Sequence, residues 1–436
     1  MNATRRDGQY IGMVSEMNED RIIALKRYGE KARQAATLLA RTGSADKNRM
    51  LRGMAKALRV DSGLILEKNA IDVRNAKGKG LSVAFIDRMT LTPGRIEDMA
   101  KGLEDVAALK DPLGEVVGGW RGAQDILITK VRVPIGVIGM IYEARPNVTV
   151  DAAGICLKTG NAVILRGSSE VIETNIAEVS ALRRAISAEG GPEDAVQLLE
   201  DTSRETATEL MRLNEYLDLL IPRGGAGLIN TVVRESTVPV IETGIGNCHI
   251  YAHEAADQRM ALDILINAKI QRPSVCNAAE SLLVDRSIAA EFLPLAGKAL
   301  LERGVEIRAC AESLPLLAGA KPATEEDFYA EFLDMIISVK IVSGLDEAIE
   351  HINKYSSKHT EAIITRDYAA ARIFTERIDS SVVMVNASTR FNDGGMFGFG
   401  AEIGISNQKL HARGPMGLIE MTTVKYIVSG EGQSRN

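Results

Sequence analysis

At 436 residues the chain is longer than a single hydrophobic core ordinarily organises, so two or three structural units are expected. Hydrophobic and charged contents of 45% and 25% are ordinary for a soluble globular protein, and a net charge of −6 argues against a broad nucleic-acid-binding face. An anionic ligand must therefore be met by a local cluster of Arg, Lys or backbone N–H groups.

The opening residues Met1-Asn2-Ala3-Thr4-Arg5-Arg6-Asp7 have no apolar stretch behind them that could serve as a signal-peptide core. The first hundred residues read as helices: Ile22 to Leu39 and Lys47 to Leu66 carry apolar residues at three-to-four spacing with charges between. From Asp125 the pattern turns to strands, Ile126 to Val133 and then Ile135 to Tyr142. The longest apolar run, Val133 to Tyr142, is too short for a bilayer and holds Pro134, Gly136 and Gly139. Arg145-Pro146-Asn147 follows directly. Pro146 fixes the bend, and the Asn147 amide is either a donor to a developing oxyanion or an ordinary turn former.

Val150 to Leu157 reads as a helix ended by Lys158-Thr159-Gly160-Asn161, and Ala162 to Leu165 as a buried strand. Leu217 to Ile221 is a strand that meets Pro222-Arg223-Gly224-Gly225-Ala226-Gly227, with a helix from Leu228. This alternation indicates an α/β fold with a mainly parallel sheet. The turn at Gly224 and Gly225 is a context in which backbone N–H groups hold a phosphate. It lacks the G-x-G-x-x-G pattern, and a tight turn without ligand accounts for it equally well.

In Glu242-Thr243-Gly244-Ile245-Gly246-Asn247-Cys248-His249 the acidic residue is either a base in a cleft or a solvated turn residue, and the local pattern favours the second. Cys248 and His249 make no dyad, because neighbours in a strand point to opposite faces. Five histidines without zinc-type spacing indicate no metal site. A second alternating region, Ile250 to about Arg390, contains a helix from Ala255 to Lys269 and strands near Ser281–Val284, Ile336–Val342 and Val382–Val385. Between them, Gln271-Arg272-Pro273-Ser274-Val275-Cys276-Asn277 places a thiol in a polar, turn-forming setting where Arg272 favours the thiolate. The competing reading is a small buried hydrophobe. Four cysteines at unrelated spacings, without a CxxC pair, fit a reducing cytoplasm. Phe391 to Gly404, rich in Gly and Phe, reads as an ordered loop over a site. The isolated strand Ile419 to Val428 must pair with something distant or with another subunit.

In this order, Val133 to Asp151, Lys158 to Gly167, Glu242 to His249 and Gln271 to Asn277 resemble the signatures of the γ-glutamyl phosphate reductase branch of the aldehyde dehydrogenase superfamily. The match is dense from about Val131 to Gly417. The resemblance implies an α/β, aldehyde dehydrogenase-like fold. Its parts would be a Rossmann-type cofactor domain (1–124 and 134–249), an α/β catalytic domain carrying Cys276 (250–415), and a small β oligomerisation flap (125–133 and 416–430). It implies that Cys276 is the nucleophile and that Asn147 forms the oxyanion hole with the Cys276 backbone N–H. Glu242, 34 residues ahead of the cysteine, stands where hydrolytic members keep a general base. Glu331 aligns with the carboxylate that holds the nicotinamide ribose, and Arg166, Ser168 and Ser169 with contacts to the adenosine ribose. NAD-preferring relatives place an acidic residue at about Ser169; its absence, with Arg166 near, leaves room for the extra phosphate of NADPH.

The implied reaction is NADPH-dependent reduction of L-glutamyl 5-phosphate to L-glutamate 5-semialdehyde through a cysteine thioester, in proline biosynthesis. Water activation would waste that thioester, so Glu242 is expected to position cofactor or tune Cys276 instead. Arg145 and Arg272 flank the two catalytic segments and are candidates for the substrate's phosphate and carboxylate, with a structural ion pair as the alternative. The resemblance also implies a cytoplasmic homo-oligomer, and the lability of the acyl phosphate suggests contact with a separate glutamate 5-kinase. Two rival readings are an aldehyde dehydrogenase for another acyl group and a silent scaffold of the same fold. Tyr142 to Asn147 argues against the first, and Cys276, Asn147, Glu242 and Glu331 together argue against the second.

Overall fold

The computed structural model describes the backbone of residues 4–435 and the side chains of residues 19–83 and 85–435, so residues 1–3 of the opening stretch read above lie outside it. The chain divides into two compact units, Met1–Glu242 with Gly400–Ile403 and Gly417–Asn436, and Thr243–Phe399 with Gly404–Met416. The division falls at Glu242 rather than at 249–250, because Cys248–Ala252 is an inner strand of the second unit's sheet.

In the first unit four parallel strands lie in the order Val196–Leu198, Ala162–Arg166, Val137–Tyr142, Leu219–Arg223. Every residue of Val137–Tyr142 is buried, as a parallel strand covered on both faces requires. That strand starts at Val137 rather than Ile135, because side chains take over the backbone donors ahead of it. Asn161 Oδ1 accepts from Gly136 N–H at 2.8 Å, and Asp218 Oδ2 accepts from Val137 N–H at 2.8 Å while pairing with Arg33 at 2.6 Å. The following helix is Pro146–Lys158, earlier in its start than the apolar periodicity indicates. Proline at the first helical position lacks only an N–H that would have had no intrahelical partner. Lys47 to Leu66 forms two helices, Ser44–Val60 and Ser62–Gly78, broken at Asp61. Pro93–Ala108 completes the helical layer, capped by Thr92 Oγ1 accepting from Arg95 N–H at 3.2 Å.

The strand Thr422–Ser429 finds its partner within the chain. It pairs antiparallel with Leu127–Pro134, whose other edge pairs antiparallel with Val116–Arg121. That third strand is not expected from its sequence, because Gly118 and Gly119 interrupt any alternation. The ribbon leaves Val116, Trp120, Tyr426 and Val428 exposed, with the Trp120 and Tyr426 rings edge to face at 6.1 Å.

The second unit is a seven-stranded parallel sheet in the order Lys321–Pro322, Glu306–Ala309, Ile336–Val342, Ala279–Asp285, Cys248–Ala252, Thr360–Ile364, Val382–Val385. Leu282 and Val284 point into one core with Leu265 and Phe292 of the helices Gln258–Ile270 and Arg286–Leu301. Leu283, between them, points into the other with Ile352 and Phe374 of Leu345–Tyr355 and Tyr368–Arg377. No helix among the described residues is long and apolar enough to cross a membrane.

One ion pair lies wholly inside this unit. Lys269 Nζ meets Glu280 Oε2 at 2.5 Å with both side chains fully buried, and Glu280 Oε1 accepts from Leu333 N–H at 3.1 Å. Burial pulls Lys269 down and pushes Glu280 up, so each charge persists only because the other is present. Lys269→Met is therefore expected to destabilise the protein by about 3–5 kcal/mol at neutral pH, and Lys269→Met with Glu280→Leu to regain most of that. Urea unfolding of the single and double variants checks this; equal losses in both would show that the charge is not what matters.

Candidate active site

The loop 271–278 leaves the helix Gln258–Ile270 and enters the strand Ala279–Asp285. Its polar groups are tied on both sides of Cys276. Asn277 Nδ2 donates to Asn392 O at 2.8 Å, Thr389 Oγ1 donates to Asn277 O at 2.7 Å, and the Arg390 guanidinium meets Asn277 Oδ1 and donates from Nε to Gln271 Oε1 at 3.0 Å. From the neighbouring strand the Cys248 thiol donates to Cys276 O at 3.1 Å. A side chain on Gly246 would overlap the carbonyl of Cys276, so only glycine permits this approach.

Cys276 is partly exposed, whereas Cys156 and Cys248 are buried. Burial pushes the Cys156 thiol up to about 12 and the Cys248 thiol well up, so neither supplies a thiolate. Cys248 and His249 face apart: the Cys248 sulfur lies 3.7 Å from His359 Nδ1, while His249 Nδ1 meets Glu361 at 3.1 Å. Glu331 is in this unit too, and its carboxylate accepts from Gly246 N–H at 2.6 Å. Arg272 is exposed at the start of the loop.

The first unit holds the other candidates. Asn147 is exposed in the first turn of Pro146–Lys158 and donates from Nδ2 to Asp151 Oδ2 at 3.0 Å, one helical turn on. Arg145, Asn147, Asp151, Arg223 and Glu402 line a cavity of about 30 Å³, room for one water. Asp151 keeps some surface open, yet the protein packed about it pushes its carboxyl up to about 6, opposed by the Asn147 bond and the Arg223 charge. Glu242 is partly exposed at the end of the unit's long segment.

The residues that the sequence resemblance assigns to a dinucleotide stand at the carboxyl ends of the parallel strands, the edge of such sheets where nucleotides bind. Arg166 donates from Nη2 to the carbonyls of Thr202 at 2.5 Å and Ser203 at 3.0 Å. Arg166 Nε and the Ser168 hydroxyl are buried with no hydrogen-bond partner among the described residues, as expected of atoms that wait for a polar ligand. Ser169 Oγ lies 3.2 Å from Glu170, so a carboxylate stands beside the position where the sequence lacks one. The Gly224-Gly225 turn is already served by the protein: Glu143 Oε2 accepts from Gly225 N–H at 3.1 Å, so a phosphate there must displace Glu143. The residues thus fit the ribose end of a dinucleotide better than its diphosphate.

Two residues of this geometry escape the sequence patterns. Asp151 has a signal in hindsight, the i,i+4 spacing from Asn147. Arg390 has none, since Asn277 lies 113 residues away. Gly246→Ala is expected to destabilise the protein by about 2 kcal/mol or more by overpacking. Gly227→Ala, where a Cβ meets nothing within 4 Å, is expected to be neutral or mildly stabilising. Thermal unfolding checks the pair; a Gly246→Ala variant as stable as the parent would refute the close approach.

Residues 2–306 match the model of the aldehyde dehydrogenase family. The γ-glutamyl phosphate reductase of Heliobacterium modesticaldum is 59% identical over 407 residues, which cover 93% of this chain and 98% of the relative. That of Carboxydothermus hydrogenoformans is 59% identical over 406 residues, again 93% and 98%. The crystal structure of γ-glutamyl phosphate reductase from Thermotoga maritima superposes with a TM-score of 0.92 at 49% identity, covering 94% of this chain and 100% of that one. The chain belongs to the aldehyde dehydrogenase family of oxidoreductases, in its γ-glutamyl phosphate reductase branch.

Proposed function

We propose that the protein reduces L-glutamyl 5-phosphate to L-glutamate 5-semialdehyde with release of phosphate, using NADPH, as a cytoplasmic step of proline biosynthesis. The observation that carries this reading is Cys276, a partly exposed thiol in a loop tied down on both sides, in a chain similar over nearly its whole length to proteins named γ-glutamyl phosphate reductase.

Cys276 attacks the γ-acyl carbon; sulfur bonds to carbon, the bond to the phosphate oxygen breaks, and phosphate leaves with the electron pair. A thioester on Cys276 remains. Negative charge grows on the carbonyl oxygen during the attack, and a donor already aimed at it lowers the barrier by about 3–4 kcal/mol. Asn147 is assigned that role with the Cys276 backbone N–H: its amide carries two hydrogens, of which one is given to Asp151. The nicotinamide, when bound, supplies the hydride. Arg166, Ser168 and Ser169 are assigned to its adenosine ribose, Gly224 and Gly225 to its diphosphate once Glu143 yields, and Glu331 to its nicotinamide ribose. Collapse of the reduced adduct then expels the Cys276 thiolate.

Glu242 is assigned to positioning cofactor or tuning Cys276, because a base that activated water would divert the thioester to hydrolysis. Arg145 and Arg272 are assigned to the anionic groups of the substrate, its phosphate and its carboxylate. The exposed apolar flap, with Trp120 and Tyr426, is assigned to homo-oligomer contacts.

Followed in reverse, wild type is expected to reduce NADP+ faster than NAD+ with L-glutamate 5-semialdehyde, and only when phosphate is present. Cys276→Ser is expected to lose this activity, and Glu242→Gln to leave hydrolysis of the acyl-enzyme unchanged. Oxidation of the aldehyde without phosphate, lost in Glu242→Gln, would establish a hydrolytic enzyme instead. Trp120→Glu is expected to lower the assembly mass in sedimentation velocity; an unchanged mass would remove the flap from the interface.

A further inference from the structure

The second unit contains a cavity of about 500 Å³ beside the Cys276 loop. One wall is a stripe of helix: Asp263, Asn267 and Gln271, spaced by four and so on one face. The opposite wall, from the segment after Val382–Val385, contributes Arg390, Phe391 and Met396. The cavity therefore has one cationic group, Arg390, and two acidic groups, Asp263 on the facing helix and Asp393 on the wall of Arg390, with apolar surface from Ile264, Phe391 and Met396.

Neither Arg390 nor Asp263 forms an ion pair among the described residues. Arg390 is half-buried, and its hydrogen bonds go to neutral amides, those of Gln271 and Asn277. Burial pulls its guanidinium down, and Arg272 opposes it while Asp393 and Cys276 favour it. A partly desolvated guanidinium without a bonded carboxylate is an incomplete site, since ligand carboxylate oxygens match its planar fork.

We infer that this cavity seats the α-amino-acid head of the substrate, with Arg390 binding the α-carboxylate and Asp263 the α-ammonium. The inference rests on the reaction proposed above, gives the α-carboxylate to Arg390 rather than to Arg145 or Arg272, and adds the part of the protein that recognises an amino acid. Proximity supports it. Arg390 meets the side chain of Asn277, the residue next to Cys276, and the Cys276 charge acts on its guanidinium. The substrate's α-carbon is likewise only two methylenes, about 4 Å, from its reacting carbon. A head fixed by two opposite charges also selects one enantiomer, because exchanging the charged groups would set carboxylate against Asp263.

The test compares three aldehydes in the phosphate-dependent reverse reaction: L-glutamate 5-semialdehyde, 4-aminobutanal, which lacks the carboxylate, and 5-oxopentanoate, which lacks the ammonium. An aldehyde turned over too slowly is measured as a competitive inhibitor. Arg390→Gln is expected to raise KM for L-glutamate 5-semialdehyde about 30-fold more than it raises KM for 4-aminobutanal, as loss of a charged hydrogen-bonding pair does. Asp263→Asn is expected to weaken L-glutamate 5-semialdehyde and leave 5-oxopentanoate unchanged. Arg390→Lys, which keeps the charge, should restore part of the affinity. Equal weakening of all three aldehydes by Arg390→Gln would mean that Arg390 only braces the Cys276 loop. Equal binding of all three by wild type would overturn the head site and leave the reaction standing. Absence of phosphate-dependent activity in wild type would overturn the reaction and this inference with it.

Discussion

The contact that sets the Cys276 loop in the second unit is backbone against backbone, Gly246 on the carbonyl of Cys276. Gly246 stands two residues before the strand Cys248–Ala252, which lies beside the strand that the Cys276 loop enters. Sheet register therefore brings the two segments together, and only a missing side chain lets them close. The N–H of the same glycine is held by Glu331. One residue thus fixes the Glu331 carboxylate and the Cys276 peptide relative to each other. Displacement by about 1 Å of a group so placed can cost two orders of magnitude in rate.

Charge works to the same end at the roots of the loop. Lys269 is in the last turn of the helix before it and Glu280 in the strand after it, so the buried pair staples the two ends of residues 271–278. Above that staple, Asn277 is bonded by Arg390 and by the Asn392 and Thr389 groups. Loops are ordinarily the mobile part of a fold; here the freedom of the Cys276 loop has been removed from both ends and from its middle.

Where structure is set by local chemistry, it is legible in the sequence. The strands Ile336–Val342 and Val382–Val385 occur where their β-branched runs are. Cys276 stands out through its turn-forming, polar surroundings. Where distant segments decide, local pattern falls short. The start of Pro146–Lys158 is hidden by polar residues ahead of its apolar face, and Val116–Arg121 exists because Leu127–Pro134 offers it an edge. The turn at Gly224 reads as a phosphate cradle, and nothing local tells that Glu143 fills it. Arg390 and Asp151 draw their significance from neighbours supplied by the fold, and Glu331 is visible only through resemblance.

The strand Thr422–Ser429 pairs across nearly 300 residues with Leu127–Pro134, and Asn161, between the helix Pro146–Lys158 and the strand Ala162–Arg166, donates from Nδ2 to Met421 O at 2.8 Å. A ribosome making this chain therefore finishes the whole second unit before it releases the piece that closes the first. Until then Leu127–Pro134 emerges with one edge unpaired, in a nascent chain that is already long. The order of synthesis thus separates completion of the two units in time, since the second unit's last residues, 404–416, precede the strand that closes the first. Translation, as well as thermodynamics, selects when this protein acquires its sticky face.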